Sequence, residues 1–97
     1  MRVLLDENLP RKLTRLFGLD MEVVTVREHG WSSKKNGELL AAASGEFDVC
    51  LTADRGIPNQ QNLARYGIAV LILEARSNTL EDLAPLVSKT VRALRSA

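Results

Sequence analysis

The chain has 97 residues, with 45% hydrophobic and 26% charged side chains and a formal net charge of +1. This composition suits one globular domain, residues 1–97, with a modest core. It excludes a chain disordered throughout and argues against a uniformly basic nucleic-acid-binding surface. The single cysteine, Cys50, cannot form an internal disulfide, so a reducing, cytoplasmic setting is expected. The apolar runs are too short to cross a bilayer, and no signal-peptide pattern opens the sequence.

Residues 3–5 (Val-Leu-Leu) form a short apolar run next to Asp6 and read as a buried strand. Asn8 then offers an N-cap, with Pro10 in the first turn of a helix that carries Leu9, Leu13, Leu16 and Phe17 and stops at Gly18. The β-branched residues Val23, Val24 and Val26 mark a second strand over 22–26. A loop with Gly30, Trp31, Ser32 and Ser33 follows. Asn36 and Gly37 then open a helix with Leu39, Leu40, Ala42 and Ala43, closed by Gly45. A third strand is expected within 47–52, a loop over 54–58 and a short helix from Asn59 to Tyr66. Residues 68–73 are almost wholly apolar, as a central parallel strand would be. Thr79 then caps a last helix with Leu83, Leu86, Val87, Val91 and Leu94 on one face, where Pro85 predicts a kink or a restart. This strand–helix alternation predicts a parallel sheet with right-handed crossovers, all strand carboxyl ends lying on one edge.

That edge is where ligands bind in open α/β sheets. Strand one runs into Asp6-Glu7-Asn8, and strand three into Thr52-Ala53-Asp54. Asp6 and Asp54, 48 positions apart, are therefore expected at one edge, with Glu38 in the first turn of a helix beginning nearby. Converging carboxylates repel, and a divalent cation relieves the conflict. Mg²⁺ takes oxygen ligands and keeps several waters, and it can activate water against a phosphoryl group. On residue types alone, Asp after a strand and Glu at a helix start equally serve as loop and helix-end partners.

The segments MRVLLDENLPRKL, KNGELLAAA, FDVCLTADRGIPNQQN and IAVLILEARSNTLEDLAPLV together resemble a family of small prokaryotic PIN-like domain proteins. The resemblance covers nearly the whole chain. It implies a three-layer α/β/α sandwich with a central, mainly parallel sheet. It further implies a Mg²⁺- or Mn²⁺-dependent ribonuclease, as in the toxins of bacterial toxin–antitoxin pairs. The implied metal ligands are Asp6, Glu38 and Asp54, with Glu7 as a contributor, and the first three would be the catalytic acids. Arg55, Asn8, Asn36 and Gln60 are the candidate substrate contacts. RNA, an antitoxin protein and a second copy of the chain are the expected partners. The sequence departs from the family pattern where related chains often carry Asp near Asn36, and where a second acid often follows the strand-three Asp. Here that run is Asp54-Arg55-Gly56-Ile57, which also keeps open a catalytically weak or inactive binding module for protein or RNA.

Other residues carry less. Arg11 and Arg15, beside Lys12, either guide a phosphate backbone or form a solvated helix face. Asn59, Gln60 and Asn62 are helix-capping amides or contacts to a nucleotide. His29 reads as a loop histidine, Trp31 as a cover for the core, a dimer contact or a surface for base stacking, and Cys50 as packing. A phosphoacceptor receiver domain is disfavoured, because Glu74 and Ala75, not Lys, follow the last strand.

Overall fold

A computed structural model describes residues 1–18, 20–34, 36–53 and 67–96. Its elements in chain order are β1 (Arg2–Leu5), a 3-10 helix η1 (Arg11–Leu16), β2 (Glu22–Thr25), α1 (Asn36–Ala43), β3 (Val49–Thr52), β4 (Ala69–Ile72) and α2 (Leu80–Ser96). The four strands form one sheet in the order β2-β1-β3-β4, and all three pairings are parallel. The α/β architecture expected from the strand–helix alternation is therefore present.

Strand alternation sorts the core into two layers. Val3, Leu5, Val49 and Leu51 point to one face, where Leu9, Leu13 and Phe17 of the η1 region and Leu83, Val87, Val91 and Leu94 of α2 close over them. Leu4 and Cys50 point to the other face and meet Leu39, Leu40 and Ala43 of α1 together with Phe47. Each fully buried Leu contributes roughly 1.5–3 kcal/mol of transfer free energy. The helices thus hold a thin sheet from both sides, and β1 and β3 lie at its centre.

Several expectations are corrected. The first helix is a six-residue 3-10 helix rather than an α-helix, entered from an extended Pro10 with no side-chain cap. Within it the Thr14 hydroxyl donates to the Arg11 carbonyl at 2.9 Å, a local bond that competes with α-helical pairing. Leu16, expected on the buried face, is 47% exposed. Gly18 does not take a left-handed stop conformation, since Gly30 (φ 79°) is the described residue with positive φ. A side chain at Gly18 would instead lie 2.6 Å from both Arg95 Nη2 and Asp20 Oδ1.

The apolar run at 68–73 forms an edge strand among the described residues, with Ala69 exposed and Val70, Leu71 and Ile72 half-buried. Hydrophobicity alone placed it at the centre, yet the more uniformly buried β3 holds that place. Of the kink or restart expected at Pro85, the restart is absent, because Pro85 sits exposed within one continuous element. A missing N–H on the solvent side is met by water more cheaply than one in the core. Its expected cap is present: the Thr79 hydroxyl accepts from the Asp82 N–H at 3.4 Å. The loop at 54–58 and the helix at 59–66 lie outside the described residues.

Candidate functional site

β1 leads away to β2 on one side, whereas β3 pairs with β4 on the other, so the sheet order reverses between β1 and β3. Such a reversal opens a crevice at the strands' carboxyl ends. Asp6 stands there, immediately after β1 and only 8% exposed. Its backbone still belongs to the sheet, because the Asp6 N–H donates to the Leu51 carbonyl at 2.9 Å.

Both carboxylate oxygens of Asp6 are held. The Thr52 hydroxyl, fully buried at the end of β3, donates to Oδ2 at 2.8 Å. The Glu7 N–H donates to Oδ1 at 2.9 Å. An ionised carboxylate offers about four lone-pair positions, so two stay available to a further ligand. Asn8 ties the same two strand ends together. Its Nδ2 donates to Thr52 Oγ1 at 3.3 Å, and its Oδ1 accepts from the Ala53 N–H at 3.2 Å. The amide expected to cap the first helix therefore clips β1 to β3.

A cavity of about 250 Å³ opens over Asp6, lined by Asp6, Glu7, Leu9, Arg11, Thr25 and Arg27. It draws on the exits of β1 and β2 and on the start of η1. The Thr25 hydroxyl, at the end of β2, accepts from the Glu28 N–H at 3.0 Å and donates to Glu28 Oε1 at 3.1 Å, which fixes the turn that carries Arg27. The oxygen-rich donor set of this edge (Asp6, Glu7, Thr25, Thr52) has the chemistry a hard divalent cation takes. Among the described residues, however, no three His, Cys, Asp or Glu side chains come together closely enough to hold a metal ion.

The residues singled out from sequence separate into three groups. Asp6 and Glu7 share the cavity. Glu38 is exposed in the first turn of α1 and is absent from the described cavity lining, while Asn36 opens that helix as expected. Asp54, Arg55 and Gln60 lie outside the described residues, but Ala53, the residue before Asp54, is bound to Asn8 at this edge. Sequence reasoning missed Thr52 as the partner of Asp6, and missed Arg27 and Thr25. The signal for Thr52 lay in its place at a buried strand's end, one step beyond the Leu5–Leu51 pair of the β1–β3 register.

Asp6 also acts on its surroundings. Burial pushes the Cys50 thiol up to about 12, and the nearby Asp6 charge adds to the effect. Cys50 is thus an inert packing residue, as read from sequence. His29 bonds Glu46 at 2.8 Å and lies edge-on to Trp31, with ring centroids 4.3 Å apart. Trp31 covers the α1 side of the core, in keeping with one of the three roles the sequence left open.

The model of a family described as PIN like domain matches residues 1–75. The chain belongs to the PIN-like domain family. The match takes in the whole sheet, the Asp6 edge and α1, and ends before α2. No curated protein and no solved structure matches the chain. PIN domains generally use divalent metal ions, and the family points to chemistry of the nuclease type.

Proposed function

We propose that this PIN-like protein is a Mg²⁺- or Mn²⁺-dependent ribonuclease whose metal ligands are Asp6 and Asp54, with Glu7 as the third acid. The observation that carries this reading is the Thr52–Asp6 hydrogen bond of 2.8 Å, because it brings the exit of β3, two residues before Asp54, against the buried carboxylate. Glu7 lines the same cavity as Asp6, whereas Glu38, in the first turn of α1, is not among the residues lining it and is the alternative third acid.

A divalent cation held at this edge would polarise a phosphoryl oxygen and activate water for attack on phosphorus. The chain's own part is positional. Thr52 and the Glu7 N–H fix the orientation of the Asp6 carboxylate, so a bound ion meets a preformed ligand. Asn8 fixes the spacing of the strand ends that carry the acids. A toxin role, an antitoxin partner and a cytoplasmic setting are part of this proposal. Among the described residues, no helix is long and apolar enough to cross a membrane.

The test is cleavage of labelled RNA in Mn²⁺ or Mg²⁺ by the intact chain and by Asp6→Asn. The asparagine keeps shape and one acceptor oxygen, and the Thr52 hydroxyl can turn to accept from the new amide, so the fold is retained. The expected result is cleavage that a chelator stops and that Asp6→Asn abolishes at unchanged circular dichroism. Undiminished cleavage by the folded variant would refute the assignment. The second reading, a non-catalytic binding module, is favoured by the lack of another acid in Asp54-Arg55-Gly56-Ile57. It predicts RNA or protein binding with no cleavage at all.

A further inference from the structure

Two guanidinium groups from separate elements, Arg11 at the start of η1 and Arg27 in the turn after β2, line the cavity that holds Asp6 and Glu7. Sequence spacing paired Arg11 with Arg15, as on an α-helix. The 3-10 geometry breaks that pair. At three residues per turn, Arg11 shares a ridge with Thr14, and Lys12 shares one with Arg15. Arg11 is thus the basic residue of η1 that reaches the cavity, and its companion there is Arg27.

Neither guanidinium is spent within the protein. Among the described residues, the ion pairs join Arg2 to Glu22, His29 to Glu46 and Arg95 to Asp20, and neither Arg11 nor Arg27 pairs with the acids beside it. Each keeps five N–H donors in a planar fork that matches phosphate oxygens. A cavity lined by two carboxylates and two unpaired guanidiniums suits a ligand that carries its own anion alongside a cation. The turn bearing Arg27 is held by the Thr25–Glu28 bonds, so its position is set before any ligand arrives.

We propose that Arg11 and Arg27 form a two-pronged clamp for a backbone phosphate of single-stranded RNA, placing the chain across Asp6. This inference rests on the ribonuclease reading for its substrate, but its residues and its readout are separate from the metal ligands. The clamp recognises phosphate and is indifferent to base sequence.

The experiment measures binding of a fluorescent, mixed-sequence single-stranded oligoribonucleotide in excess chelator, over a series of salt concentrations. The proteins compared are the full chain, Arg11→Gln, Arg27→Gln, Arg11→Lys and Lys89→Gln. Lys89 is exposed on α2 and is not among the described residues lining the cavity. Each cavity glutamine variant is expected to weaken binding about tenfold, the loss of one charge-assisted contact. Each should also flatten the slope of log affinity against log salt by about 0.7, the release of one phosphate neutralisation on a single strand. Arg11→Lys should restore the salt slope but only part of the affinity, and Lys89→Gln should behave as the unmodified chain.

Unchanged affinity and slope in both glutamine variants would overturn the clamp, as would the absence of RNA binding by the full chain. Melting curves of every variant separate a lost contact from a lost fold. The two proposals fail differently. RNA binding that depends on both arginines in a chain that never cleaves keeps the clamp and removes the nuclease. Cleavage that depends on Asp6 but ignores both arginines does the reverse.

Discussion

Replacing Thr52 by valine removes the hydroxyl that steadies Asp6 while keeping the shape of a side chain that is fully buried at the end of β3. The lost bond, Thr52 Oγ1 to Asp6 Oδ2 at 2.8 Å, is charge-assisted, and Asn8 Nδ2 loses its acceptor at 3.3 Å in the same change. Hydrogen bonds to charged groups contribute about 1.5–3 kcal/mol each. Asp6 borders an open cavity of about 250 Å³, so water can partly replace the hydroxyl, and the lower end of that range applies. A cost of about 1.5 kcal/mol corresponds to a fall in melting temperature of roughly 6–12 °C for a domain of this size. Trp31, the sole tryptophan, packs on the core and reports unfolding by fluorescence. A double-mutant cycle with Asp6→Ala, which leaves residue 6 no polar atom for Thr52 to bond, should recover most of the loss as coupling between the two positions. A melting temperature unchanged in Thr52→Val, or a coupling of zero, would show that this bond does not organise the site.

Further outcomes follow from the core and the surface. Cys50, pushed up to about 12, should resist alkylation at mildly alkaline pH in the native protein and react quickly once denaturant opens the sheet. Its folded value lies above its unfolded one, so its contribution to stability is fully present below pH 8.5 or so and fades as pH rises towards 12, which alkaline melting curves will register. Leu4→Ala, at a position with no exposure between β1 and α1, should cost about 2–5 kcal/mol in urea unfolding. Asp20 is held below the usual carboxylate range by its hydrogen bonds to Arg95, the shorter at 2.7 Å. That pair helps stability above the unfolded aspartate value and ceases to as pH falls through the folded one. Asp20→Asn should therefore flatten the acid limb of the stability curve slightly and leave neutral stability nearly unchanged, as expected of an exposed pair.

Much of the fold was legible because its signals are local. Four apolar runs followed by helical spacing gave the parallel sheet, and Leu83, Val87, Val91 and Leu94 gave the buried face of α2. Strand order was not legible, since the apolar run before Leu73 looks more central than it is, and only the pairing of β3 with both β1 and β4 reveals which strand lies inside. Thr14 and Pro10 carried the clue that the first helix would tighten into a 3-10 turn, but a helical spacing of leucines masked it. At the site, Asp6 stood out as an acid directly after a buried run. Thr52 and Arg27 were not legible, because neither residue type is diagnostic until the three strand ends are known to be neighbours. Asn8 was read as a helix cap from its position, whereas its amide bonds Thr52, 44 positions further along the chain, at the end of β3.

The central claim is that Asp6 and Asp54 hold one divalent ion, and a crystal grown with Mn²⁺ and measured at a wavelength showing its anomalous signal tests it most directly. The account predicts a single peak at the carboxyl ends of β1 and β3, within bonding distance of both carboxylates and lost in Asp6→Asn crystals. A peak contacting neither aspartate, or the two carboxylates turned to separate surfaces with no shared density, would contradict it.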